Sequence, residues 1–193
     1  MKLGNLSQLM CLLASSMAGG NLFGASPTFT PCECASQIEN WNFSAEASRL
    51  LKEIRLNSAK LTGHAETLKS YPHSGISRES HASQLTSVKE HINSIGDRLE
   101  RLLAIRHLAL PWQQQAIDSI QPLAANVATH TTAAIEHLNQ NPNHLWTPVY
   151  KEHLKSLAER ASEMKRAVNL HLELADTQQK ADELRNKVAV IGS

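Results

Sequence analysis

Ten histidines in a chain of 193 residues are the side chains with the most chemistry to offer. Imidazole titrates close to neutral pH and is the commonest protein ligand for transition-metal ions. The histidines are unevenly placed. His64 and His81 flank the turn-rich stretch Tyr71-Pro72-His73-Ser74-Gly75, and His137 and His153 flank Asn139-Gln140-Asn141-Pro142-Asn143, with His144 just beyond. If the segments between these stretches are antiparallel helices, both turns fall at one end of the molecule and these histidines gather there. His64, His81, His137 and His153 are therefore the candidate ligands for a transition metal or a haem, or a cluster that gains charge near about pH 6. Their spacing follows no established site. The chain has no His-x-x-x-His pair, no Glu-x-x-His of the di-iron bundles, and no Cys-x-x-Cys-His for haem attachment.

Cys32 and Cys34 are the second group that can do chemistry. A disulfide across Cys-x-Cys closes a small strained ring and is readily reduced. The alternatives are an intermolecular bridge, a pair of soft metal ligands, or two thiols without a specific role. Catalytic constellations are absent: there is no Gly-rich phosphate loop, no Gly-x-Ser-x-Gly elbow and no His-Glu-x-x-His. The Glu-His neighbours Glu90-His91, Glu136-His137 and Glu152-His153 point in adjacent directions on a helix rather than into one site. An enzyme is not the expectation, and neither is a resident cofactor.

Four stretches of three-then-four apolar spacing must position these groups. The first runs through Ala47, Leu51, Ile54, Ser58, Leu61, Ala65 and Leu68, and the second through Leu85, Val88, Ile92, Ile95, Leu99 and Leu102. The third holds Ile117, Ile120, Ala124, Val127, Thr131, Ala134 and Leu138, and the fourth Tyr150, Leu154, Leu157, Ala161, Met164 and Val168. Each is one stripe of an amphipathic helix that must be buried against others. Ser44 and Ser77 are the expected caps of helices one and two, and helix two is expected to reach about Ala109. Pro111 should open helix three, Pro122 should kink it away from the seam, and Thr147-Pro148 should start helix four, which extends to roughly Lys187. Short connections between long helices predict an all-α, antiparallel up-down-up-down four-helix bundle over residues 44–188, with a longer fourth helix and a tail at 189–193. On this reading His81 sits on a seam, and His64, His130, His137 and His153 sit beside seams. His171 takes the next seam place of helix four as a hydrogen-bonded core histidine, and the apolar positions resume in a shifted register at Leu174, Ala181, Leu184 and Val188.

Residues 1–18 resemble a secretory signal peptide: Lys2, an apolar run around Leu9 to Ala14, then Ser16-Met17-Ala18 as a small-x-small site, with Ala25 as a second cleavage position. The expected location is extracytoplasmic, periplasmic or secreted, and residues 19–43 read as an irregular leader. Nineteen basic against 18 acidic residues, with no basic block, give none of the electrostatic footprint of a nucleic-acid binder. No run of 18 or more apolar residues is present to span a bilayer. The expected role is an exported, non-enzymatic bundle that binds another protein or itself, with Leu184, Val188 and Ile191 on the overhanging end as the contact surface. The alternative is a metal-, haem- or pH-responsive bundle built on the histidine end.

Overall fold

The computed structural model describes residues 42–71, 75–142, 144–145 and 147–191. Four helices follow one another: α1 Phe43–Ser70, α2 Arg78–Ile105, α3 Pro111–Gln140 and α4 Pro148–Ile191, with a 3-10 turn at Arg106–Leu108 between α2 and α3. The signal-like segment, both cleavage positions, and Cys32 and Cys34 lie outside the described residues.

Cross-helix contacts fix the arrangement. Going down α1 from Glu53 to Asn57 to His64, the partners on α2 climb from Arg98 to His91 to Gln84. On the α3–α4 side, Ser119 meets His171 while His137 meets His153. Thr62 meets the carbonyl of Ala161, so α1 also packs on α4, and α2 on α3 closes the square. The fold is thus an all-α four-helix bundle with consecutive helices antiparallel. Every apolar seam position predicted as far as Val168 is buried, whereas Leu174, Ala181, Leu184 and Val188, where the seam was expected to resume, are exposed. Where Ala161 faces α1 the backbones come close: the Thr62 hydroxyl, buried between helices, shares its proton between the carbonyls of Ser58 at 2.8 Å and Ala161 at 3.2 Å.

Helix ends depart from expectation in instructive ways. Helix α1 is capped by Asn42, whose Oδ1 accepts the Ala45 N–H at 3.0 Å and the Ser44 hydroxyl at 2.9 Å. Ser44 is therefore inside the first turn, and Phe43, expected to be irregular, is its first residue. Replacing Asn42 by alanine should cost about 1 kcal/mol of unfolding free energy in urea titrations. No change would mean that the first turn is held by packing alone. Ser77 caps α2 as expected, through its Oγ and the Ser80 N–H. That helix stops at Ile105 rather than Ala109 because its end tightens into the 3-10 turn, with Ala109 N–H donating to the Arg106 carbonyl. Pro111 opens α3, and Thr147 caps α4 with its Oγ1 3.4 Å from the Tyr150 nitrogen. Pro122 lies on the exposed side of α3, which continues as one helix past it. Helix α4 ends at Ile191 rather than Lys187.

One seam assignment is corrected. Leu172, not His171, occupies the inward position after Val168. His171 is half-buried beside it, its Nε2 2.8 Å from the Ser119 hydroxyl.

Candidate functional site

Two regions of the bundle stand out, one at each end. At the end where α1 and α3 finish, Tyr150 is fully buried on the α4 seam, with rings on both sides of it. His81, 1% exposed on the α2 seam, places Nδ1 3.0 Å from the Tyr150 hydroxyl. Tyr71, which ends α1, meets the His81 ring edge-on at 5.0 Å. His137 from α3 lies parallel to Tyr150 with ring centres 5.1 Å apart, and His153 stands edge-on to His137 at 6.3 Å. The Nε2 atom of His137 is in turn 3.0 Å from the Thr147 hydroxyl. All four helices thus contribute a ring to one aromatic–imidazole layer that closes the core.

The electrostatics follow from burial. His81 is pulled below the usual imidazole range by loss of hydration, and the Tyr150 phenol is pushed well above its ordinary value for the same reason. His153 is lowered by burial first and then by the neighbouring His137 and His130, with Glu152 opposing. These groups are held neutral at neutral pH, which suits a packed layer.

His64 belongs elsewhere. It lies against α2, its Nδ1 2.7 Å from Gln84 Oε1, with its ring 5.5 Å from that of His91. Of the four histidines singled out from the sequence, the structure brings His137 and His153 together, sets His81 across Tyr150 from them, and pairs His64 with a residue the spacing did not select. Among the described residues, no three His, Cys, Asp or Glu side chains stand grouped to hold a metal ion. Tyr71, Tyr150 and His91 were not among the site residues expected from the sequence. Tyr150 was visible as a seam residue, but its polar neighbours depend on interhelix register.

At the opposite end α4 outruns the other helices. Its inward seam closes at Leu172, and beyond Ala175 every described position is exposed. Yet the three-then-four spacing continues without a break on another face, through Leu170, Leu174, Thr177, Ala181, Leu184, Val188 and Ile191. Leu170 stands two residues from both Val168 and Leu172, hence about 200° around the helix from each. The shifted register is therefore a second stripe on the outward side of α4. Its members are open to solvent: Leu170 is 65% exposed, Leu184 62%, Val188 70% and Ile191 86%.

Comparison with known proteins adds nothing to this geometry. The chain matches no family model, no curated protein and no solved structure. The sites must be read from their own chemistry. Among the described residues no helix is long and apolar enough to cross a membrane, so the outward stripe is not a bilayer span.

Proposed function

We propose that this is an exported, non-enzymatic bundle that works by binding, and that its partner is a second copy joined through the outward stripe of α4. The observation that carries the reading is the stripe itself. From Leu170 to Ile191 it keeps coiled-coil spacing for three heptads, about 32 Å of helix. Spacing of that regularity has no use on a solvated face, where charged residues are favoured. A helix with the same spacing is the surface it fits.

Charge favours an antiparallel pairing. With Leu174 opposite the partner copy's Leu184, Glu173 of each chain lies beside Lys187 of the other, two attractive pairs against the single like-charge meeting of Lys180 with its own copy at the centre. Parallel pairing would instead set Lys180 against Arg185 twice over, a like-charge contact without compensation. Export is supported by the signal-like pattern of residues 1–18.

Light scattering on the chain at tens of micromolar should give the mass of a dimer. Leu184→Asp with Val188→Asp should give the monomer with helical content and melting retained, and removal of residues 178–193 should give the monomer with melting of the bundle retained. A monomeric parent chain at that concentration overturns the reading.

A further inference from the structure

Imidazoles crowd one half of the bundle. The ring layer sets Tyr71 and His81, from the α1–α2 side, against Tyr150, His137 and His153 of α3 and α4. Nearer mid-height His64 stacks on His91 across the α1–α2 contact, and His130 stands seven residues, about two turns, before His137 on α3. Among the described residues the other half holds only His171 on the α4 flank and His107 in the exposed connection between α2 and α3. The surroundings of the crowded half do not welcome charge. His81 is enclosed by Tyr71 of α1 and Tyr150 of α4, and burial lowers its proton affinity. His91 is lowered by burial, then by His64 and Lys60 of α1, with Glu90 opposing. His153 is lowered by burial, then by His137 and His130 of α3, with Glu152 opposing.

The opposite half is tied by bonds that mild acid leaves alone. Gln113 of α3 donates from Nε2 to the Ser44 carbonyl at 2.7 Å and the Ser48 hydroxyl at 2.9 Å, both on α1. Arg106 Nε donates to Asp118 at 2.8 Å, and the guanidinium holds that carboxyl below its usual range. We propose that mild acid opens this bundle from one end only: the ring layer parts while the half that Gln113 clamps stays folded. The cause is one proton-linked gain set against two different costs. In an opened end the imidazoles are hydrated and take up protons near the ordinary value of about 6.5, whereas the closed end resists them. Each imidazole that charges only on opening raises the open population by up to about tenfold per pH unit below that value, and adds nothing above it. Complete unfolding gains the same protons but also gives up the packing of the other half, where Ala47, Leu102, Ala116 and Ile117 are fully buried. Opening one end is therefore the first excursion that acid makes accessible. The proposal is independent of the self-association reading.

Amide hydrogen exchange on the full chain at about pH 7.5 and about pH 5, with intrinsic rates allowed for, reads the two ends separately. Amides of residues 65–69, 81–88, 131–138 and 151–157 should lose at least about tenfold in protection on acidification. At about pH 5 the amides of residues 50–54, 95–102, 114–120 and 165–170 should remain at least about tenfold more protected than these. His81→Gln combined with His153→Gln should shrink the acid-dependent loss at the ring layer at least about threefold, a readout that each protein supplies against itself. Equal protection of both ends at about pH 5 makes the opening all-or-none and overturns the proposal. So does protection at the ring layer that does not change with pH, or a loss that the double variant keeps in full.

Discussion

Replacing Gln113 with alanine is expected to destabilise the bundle by about 2–4 kcal/mol, the largest effect of any polar substitution at that end of the molecule. Helix α3 starts without a side-chain cap, since Leu110 holds the cap position and has no oxygen to offer. Gln113 supplies what is missing. Fully buried in the third position of the helix, it accepts the Leu110 N–H on Oε1 at 2.8 Å. Its Nε2 donates to the Ser44 carbonyl at 2.7 Å and to the Ser48 hydroxyl at 2.9 Å. One side chain thereby closes the start of α3 and ties it diagonally to the start of α1. Alanine removes all three bonds at once and empties a fully buried position, so the cost joins lost hydrogen bonds to lost packing.

For a helical unit of this size the melting temperature should fall by roughly 5–15 °C. Gln113→Glu separates the two roles. It keeps an acceptor for Leu110 but turns a carboxylate oxygen toward the Ser44 carbonyl, so it should rescue little. Urea unfolding of the three proteins decides the matter. An alanine variant within about 0.5 kcal/mol of the parent would show that water or repacking replaces the clamp.

The seams were legible because burial follows helical period, and their predicted apolar members as far as Val168 are in the core. What the period does not encode is the neighbour. Asn42 and Ser44 offer the same capping chemistry two residues apart, and only the path of the chain into the helix selects the first. The exchange of His171 for Leu172 has a geometric cause. A helix that keeps 3.6 residues per turn drifts about 20° per heptad against a strict seven-residue repeat. Three heptads beyond Tyr150, position 171 is about 60° off the seam while 172 is about 40° off on the other side, so the leucine goes inward. The stripe past Leu170 lies on another face for a different reason, the two-residue step from Val168 that turns it by about 200°.

For the histidines, the flank holds, and the shared end holds for His81, His137 and His153 but not for His64. His81 is buried, while His64, His130, His137 and His153 are half-buried beside their seams. The pairing of His64 with His91 depends on how far α1 and α2 slide past one another. That offset is set by interlocking side chains and carries no signal in either helix alone.

Acid should loosen this bundle, and His81 should carry the first part of the effect. Its folded-state proton affinity is depressed by burial, while in the unfolded chain it titrates at the ordinary value of about 6.5. Above that value the ring is neutral in both states and costs nothing. As pH falls below about 6.5 the unfolded chain takes up a proton that the folded state refuses, and stability is lost by up to about 1.4 kcal/mol per pH unit for this proton. The loss continues until the pH reaches the depressed folded value, where the ring must charge between Tyr71 and Tyr150. Tyr150 cannot compensate, because its raised phenol stays protonated throughout. His91 and His153, also lowered by burial, act with the same sign. Unfolding free energies measured from about pH 7.5 to 5 should therefore decline, steepening below about 6.5. In His81→Gln, whose amide oxygen can still accept the Tyr150 hydroxyl, the decline should be shallower by close to one proton's worth. A variant profile parallel to that of the parent would remove His81 as the titrating group and leave His91 and His153 as the source of the acid sensitivity.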